Sequence, residues 1–367
     1  MTNKVRYASH PGVYIKDAIE ELGMSQSEFA IRSGLSIKNV STLINGESNI
    51  TFEVAKKLGS FFQNGEEGWI GLQTRYDLYT NQEKIRLEYA DDWEIVKNFD
   101  KNFIRQLMGI EIKGKSREED REQVIDELRK KFNVGELTNL KTPDLYVFYK
   151  THVNKELNEK TIILRNAWIS LAEKEARKKE CKEYNKDIIL SNLEFFRSLT
   201  LEMPDTFIPK INEKLAEAGI KFVILPYLYG SNFNGITKWI NKDKCVLLAI
   251  NDCGKDAGKL WFTFFHELGH ALQNNKRQMT IFYDNKAILD DNERKANEFA
   301  KDCLIDKQKY NEFVNKGCFN INEIVAFSRK LQIPEFIVIG RLQNDGLVPW
   351  NLYQDRKVRY TIQYEKV

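Results

Sequence analysis

Apolar positions in residues 1–75 fall in short helical stretches broken by Gly23, Gly34, Asn45-Gly46, Gly59 and Gly65. Ser25-Gln26-Ser27-Glu28 is a capping box, serine at the N-cap and glutamate three residues on. The helix it starts carries Phe29 and Ala30 and ends at Gly34. Ser36 caps a second helix, whose Val40 and Leu43 point inward and which closes at Asn45-Gly46. Two short helices around a glycine-containing turn predict a helix-turn-helix. In that motif the second helix enters the major groove with its N-terminal side chains toward base edges.

Residues 76–200 hold one proline, Pro143, and long charged stretches of helical periodicity. The alternating charges of 113–131 predict a solvated helix or linker, and 173–186 reads the same way. After Pro204 the pattern changes. Residues 221–226 and 245–250 are short apolar, partly β-branched runs bounded by turn residues, which predicts strands, with 235–240 a third between them. Residues 260–273 and 292–304 read as helices. The expected fold class is a mainly α, multidomain chain. It has an all-α helix-turn-helix (1–75), a helical middle region (76–200), an α+β domain with a small sheet (201–310) and a helical extension (311–367).

Composition narrows the setting. A chain of 367 residues exceeds one ordinary core, and 42% hydrophobic with 30% charged residues is the balance of a soluble protein. No segment approaches the roughly 18 apolar residues that span a bilayer, and the first residues lack the apolar stretch of a secretory signal. The five cysteines are odd in number and lack Cys-x-x-Cys spacing, which argues for a reducing compartment. A cytoplasmic protein with no membrane partner is expected. A net charge of +3 says little about partners.

Only four histidines occur, and two of them form His266-Glu267-Leu268-Gly269-His270. Histidines at i and i+4 share one helix face, so both rings reach one ion while Glu267 lies close by. A catalytic zinc takes three protein ligands and keeps one position open; it acidifies a water, whose proton the glutamate accepts. The buried turn 260–265 suits an active-site helix. The third ligand must come from elsewhere. Glu293 shares a face with Asn297, so Glu293 is placed to bind zinc and Asn297 to hydrogen-bond a ligand histidine. Glu298 and the pair Asp290/Asp291 compete for that role. His10 and His152 lack ligand spacing and read as ordinary surface or turn histidines.

Thr263-Phe264-Phe265-His266-Glu267-Leu268-Gly269-His270, followed by Glu293-x-x-Ala296-Asn297-x-Phe299-Ala300, resembles the ImmA/IrrE metallopeptidases. The resemblance implies that His266 and His270 bind zinc, that Glu267 is the general base and that Glu293 is the third ligand. The upstream strands and Ile339-Gly340-Arg341-Leu342-Gln343 also fit that family. One departure is Asp306, after Leu304-Ile305, where the family often has proline. No transition-state stabiliser carries over; Tyr227, Tyr229 and Tyr283 are candidates, with buried packing as the plainer reading.

The amino-terminal residues resemble the Cro/repressor (XRE) family. His10-Pro11-Gly12, Ile15-Lys16, Gly23-Met24-Ser25-Gln26, Asn45-Gly46 and Trp69-x-x-Leu72-Gln73-x-x-Tyr76 resemble its HigA antitoxin branch. This implies that Gln26, Ile37, Lys38 and Thr42 face DNA, with Asn39 and Asn45 near the backbone. Against it, residues 1–72 hold seven Lys/Arg and eight Asp/Glu, so the module has no basic footprint. Docking or dimerisation is the competing use.

The expected function is a zinc-dependent endopeptidase that cleaves a repressor or antitoxin-type protein, with an operator as DNA partner and a homodimer on two half-sites. The alternative is a HigA-like repressor whose peptidase fold serves as sensor or scaffold. The intact Glu267 favours the enzyme, because a scaffold has no need of it. A third reading is a processing peptidase that uses the first module only for assembly.

Overall fold

The computed structural model describes residues 8–111, 118–143, 158–242, 244–273, 280–282 and 291–364. The chain divides into two compact units, Met1–Asp91 and Asp92–Val367, and the division falls within one helix, Gln82–Val96.

The first unit contains α1 (Pro11–Glu21), α2 (Gln26–Ser33), α3 (Ile37–Ile44), α4 (Phe52–Phe62) and α5 (Glu66–Thr80). Side-chain caps start four of them. The hydroxyls of Ser25, Ser36 and Thr51 accept the N–H of Glu28, Asn39 and Val54, and Nδ1 of His10 accepts that of Gly12. His10 is thus a buried helix cap set edge-on to Tyr76 rather than a surface residue; His152 lies outside the described residues. Gly34 ends α2 at φ 70°, the left-handed turn conformation that favours glycine. Ile15, Phe29, Val40, Leu43, Leu58 and Trp69 form the core. Gln73 on α5 accepts the Ile50 N–H at 2.9 Å, and Trp69 donates to Asn64 at 3.0 Å, which gives that motif a packing role.

In the second unit α6 (Glu118–Phe132) buries Ile125, Leu128 and Phe132 and turns Arg129 inward onto the buried Asp92 at 2.7 Å. The helix α7 (Glu159–Arg177) is buried almost all round from Thr161 to Ala172. The expectation of a solvated stretch from residue 173 is corrected here. Its first residues end this buried helix, and Glu173 pairs with Lys238. Polar groups on α7 have defined partners: Asn166 donates to the carbonyls of Leu140 and Thr142, and Trp168 to that of Pro226.

A mixed four-stranded sheet of order β1-β3-β2-β4 is built from β1 (Ile220–Leu225), β2 (Gly235–Ile240), β3 (Cys245–Asn251) and β4 (Thr280–Phe282). β1 pairs with β3 in parallel; the other pairings are antiparallel. All seven residues of β3 are buried. Val246, Leu248 and Ile250 join the main core, while Leu247 and Ala249 alternate to the opposite face, and α7 packs against β1 and β3.

The helix α8 (Pro204–Glu217) packs on β1, and α9 (Ala257–Gln273) on β2 and β3. Against α9 lies α10 (Asp291–Leu304). They meet closely because Gly269 has no Cβ; one there would stand 3.2 Å from the Cα of Ala296 and 3.1 Å from the Phe299 ring. The helices α11 (Ile321–Leu331) and α12 (Glu335–Asn344) follow. The terminal segment ties down the start of α9. The Ala257 N–H donates to the Val358 carbonyl, and the Trp261 indole to the Tyr360 hydroxyl at 3.1 Å.

Candidate metal centre and helix-turn-helix surface

Trp261, Phe264 and Phe265 are fully buried, so α9 is held in the core with little freedom to roll. That fixes where His266 and His270 point. Their rings lie 4.6 Å apart, with the two Nε2 atoms 2.9 Å from each other. From α10, Glu293 sets one carboxylate oxygen 3.3 Å from Nε2 of His266 and the other 3.1 Å from Nε2 of His270. Two nitrogens each 2.0–2.1 Å from one tetrahedral zinc stand roughly 3.3 Å apart, so this spacing fits such an ion with small adjustments. Among the described residues these three side chains form a group able to hold a metal ion.

The far side of each imidazole is also fixed. Nδ1 of His266 lies 3.0 Å from the amide oxygen of Asn297, and Nδ1 of His270 lies 3.3 Å from that of Gln273. An oxygen there calls for N–H on Nδ1, which leaves the Nε2 lone pair aimed inward. Gln273 also donates to the Asn292 carbonyl at 2.8 Å, linking α9 to the start of α10. The sequence reading did not name Gln273. The available signal was its place three residues after His270 on the same face.

The three groups are tuned against one another. Burial lowers the pKa of His266. Burial also pulls His270 down, but its hydrogen bond to Glu293 and the charges of Glu267 and Glu293 outweigh that and raise it. For Glu293 burial opposes ionisation, yet the bonds to His266 and His270 prevail and bring its pKa to about 2.

Glu267 is fully buried beside this cluster, and burial raises its pKa to about 8. One carboxylate oxygen lies 2.6 Å from the Thr237 hydroxyl; the other has no hydrogen-bond partner among the described residues. β2 makes room for it: a Cβ on Gly235 would fall 2.8 Å from that second oxygen.

The other expected candidates lie elsewhere. Glu298 is exposed and 3.8 Å from Arg294, and Asp291 is paired with Lys295 at 2.6 Å. Asp290 and Tyr283 lie outside the described residues. Tyr229 is 79% exposed, and the Tyr227 ring is half-buried with backbone N–H groups of Gly230 and Asn232 against its oxygen.

In the first unit Gln26, Ile37, Lys38, Asn39 and Asn45 are exposed. Thr42, expected to face DNA with the others, is less open than they are. It is half-buried, its hydroxyl lies 3.1 Å from the Lys38 and Asn39 carbonyls, and it accepts from Ser48 at 3.0 Å.

These features define a helix-turn-helix unit followed by a unit of metallopeptidase type. By family comparison, residues 15–69 match the helix-turn-helix family and residues 240–341 match the IrrE N-terminal-like domain family. The chain is 34% identical over 76 residues to virulence-associated protein A' of Dichelobacter nodosus, a match covering 20% of this chain and 66% of that protein, just short of two thirds. It is 32% identical over 75 residues to an uncharacterized HTH-type transcriptional regulator of Haemophilus influenzae, covering 20% of this chain and 70% of the relative. Among solved structures, an addiction module antidote protein of a HigA family from Coxiella burnetii is similar at 30% identity. That match covers 21% of this chain and 84% of the other, with a TM-score of 0.20. Among the described residues no helix is long and apolar enough to cross a membrane.

Proposed function

We propose that this chain is a zinc-dependent endopeptidase that cleaves a repressor or antitoxin-type protein and is directed to its place of action by a DNA-reading helix-turn-helix. The observation that carries the reading is the convergence of His266, His270 and Glu293 on one point beside a buried Glu267 with an oxygen left over. The family match over residues 240–341 supports the peptidase class, and the match over 15–69, with Gln26 and Lys38 exposed, supports DNA reading.

In this account His266, His270 and Glu293 hold the ion, while Asn297 and Gln273 fix the imidazole tautomers. Zinc, when bound, supplies a Lewis acid that polarises a peptide carbonyl and acidifies the attacking water. Ionised by the positive charge that a bound ion would bring, Glu267 would take the water's proton on its unpartnered oxygen, while the Thr237 hydroxyl holds the other oxygen in place. It then returns that proton to the departing amine. Gly235 keeps the approach open.

The test uses the full chain, zinc-loaded, with repressor and antitoxin proteins encoded beside it as substrates. Glu267→Gln is expected to retain zinc and fold and to lose cleavage by roughly 10²–10⁴-fold, the scale of a positioned base. Cleavage at the wild-type rate would place the base elsewhere.

A further inference from the structure

A cavity of about 650 Å³ opens where the start of α9, the end of α10, α12 and the terminal segment meet, a size that suits a small-molecule ligand. It adjoins the metal centre without containing it. Phe262, one turn before His266, forms part of its wall, and the two ring centres are 6.3 Å apart.

The lining combines positive charge with aromatic surface. Each of the four segments contributes one cation: Lys259 from α9, Lys301 from α10, Arg341 from α12 and Lys357 from the tail. Two carboxylates are engaged with this set. Asp345 lies 2.7 Å from Arg341 and 3.7 Å from Lys301, and Asp256 accepts the backbone N–H of Lys259 at 2.9 Å. The lining residues themselves comprise four cations and one carboxylate, Asp256, so the wall is cationic in composition. Phe336 and Trp350 add apolar wall, with the Lys357 ammonium 5.0 Å above the Trp350 ring. Asn234 also lines the cavity and is 3% exposed.

We propose that this cavity is a binding site for a small anion that carries its phosphate or carboxylate on an aromatic or aliphatic body. The charged head sits among the four cations, and the body lies against Phe262, Phe336 and Trp350. The site stands whether or not the neighbouring centre binds zinc.

The experiment is calorimetric titration of the full chain, as purified, with 1-naphthyl phosphate and with uncharged 1-naphthol. One 1-naphthyl phosphate is expected per chain, bound at least about tenfold more tightly than 1-naphthol, since hydrogen bonds to a charged group are stronger than those to a neutral one. Chelation of the metal should leave that binding in place, which separates the cavity from the metal centre. The double variant Lys259→Ala/Lys357→Ala should weaken it about tenfold or more at unchanged metal content and melting temperature. Four results would overturn the assignment: no binding at millimolar 1-naphthyl phosphate, equal binding of 1-naphthol, loss of binding on chelation, or a folded double variant that binds like wild type.

Discussion

Glu293 is the only carboxylate among the described residues placed between the two imidazoles, and the histidines determine how much it matters. Remove it, and an ion between His266 and His270 keeps two of its three protein ligands and loses the one carboxylate that reaches both rings. Glu293→Ala is therefore expected to lose zinc on metal analysis, and Glu298→Ala, at an exposed site, to keep it. Gln273→Ala should lower zinc affinity about 10–100-fold, because the His270 ring loses the group that orients it. Full zinc occupancy in Glu293→Ala would reassign the third ligand. Much of this was legible in the sequence, since spacing alone aligns His266 with His270 and Glu293 with Asn297. Thr237, Gly235 and the unpartnered oxygen of Glu267 were not. They depend on a strand lying beside a helix about thirty residues away, and no periodicity encodes which strand that is.

The helices and strands differ in how openly the pattern announces them. Ser25, Ser36 and Gly34 mark the helix-turn-helix by local chemistry, and the caps form as their spacing requires. α7 was harder to place, because a helix buried on all sides has no polar face to reveal its orientation. β4 spans only three residues, too few for an alternation to register. For the recognition helix, burial separates two kinds of substitution. Lys38 is exposed and Val40 fully buried. Lys38→Ala should weaken operator binding by about 1–3 kcal/mol with the fold intact, as measured on sites selected from random DNA. Val40→Asp should unfold the module, because it buries an unpaired charge. The bonded hydroxyl of Thr42 leaves mainly its methyl group for a base, so Thr42→Ala is the weaker probe. If no DNA sequence is enriched, or if Lys38→Ala binds like wild type, the module serves docking instead.

Across the second unit, the proposed metal binding and the protonation of its ligands would be linked through one buried cluster. His270 has a raised pKa in the metal-free chain, so below that pKa its imidazole carries a proton that a metal must displace. Zinc affinity is then full above the raised His270 pKa and falls as the pH drops through it, by about tenfold per unit. Glu293, with a pKa of about 2, stays ionised throughout and adds nothing to the slope in this window. Competition with a chromophoric chelator between about pH 5 and 8 reads the slope directly; a flat profile would mean that His270 is not a ligand. The most direct test of the central claim is X-ray absorption at the zinc edge on the full chain, purified without chelator. One zinc per chain is expected, with only nitrogen and oxygen neighbours, two of them imidazoles at about 2.0–2.1 Å. A folded chain without zinc, or a sulfur neighbour at about 2.3 Å, would contradict it.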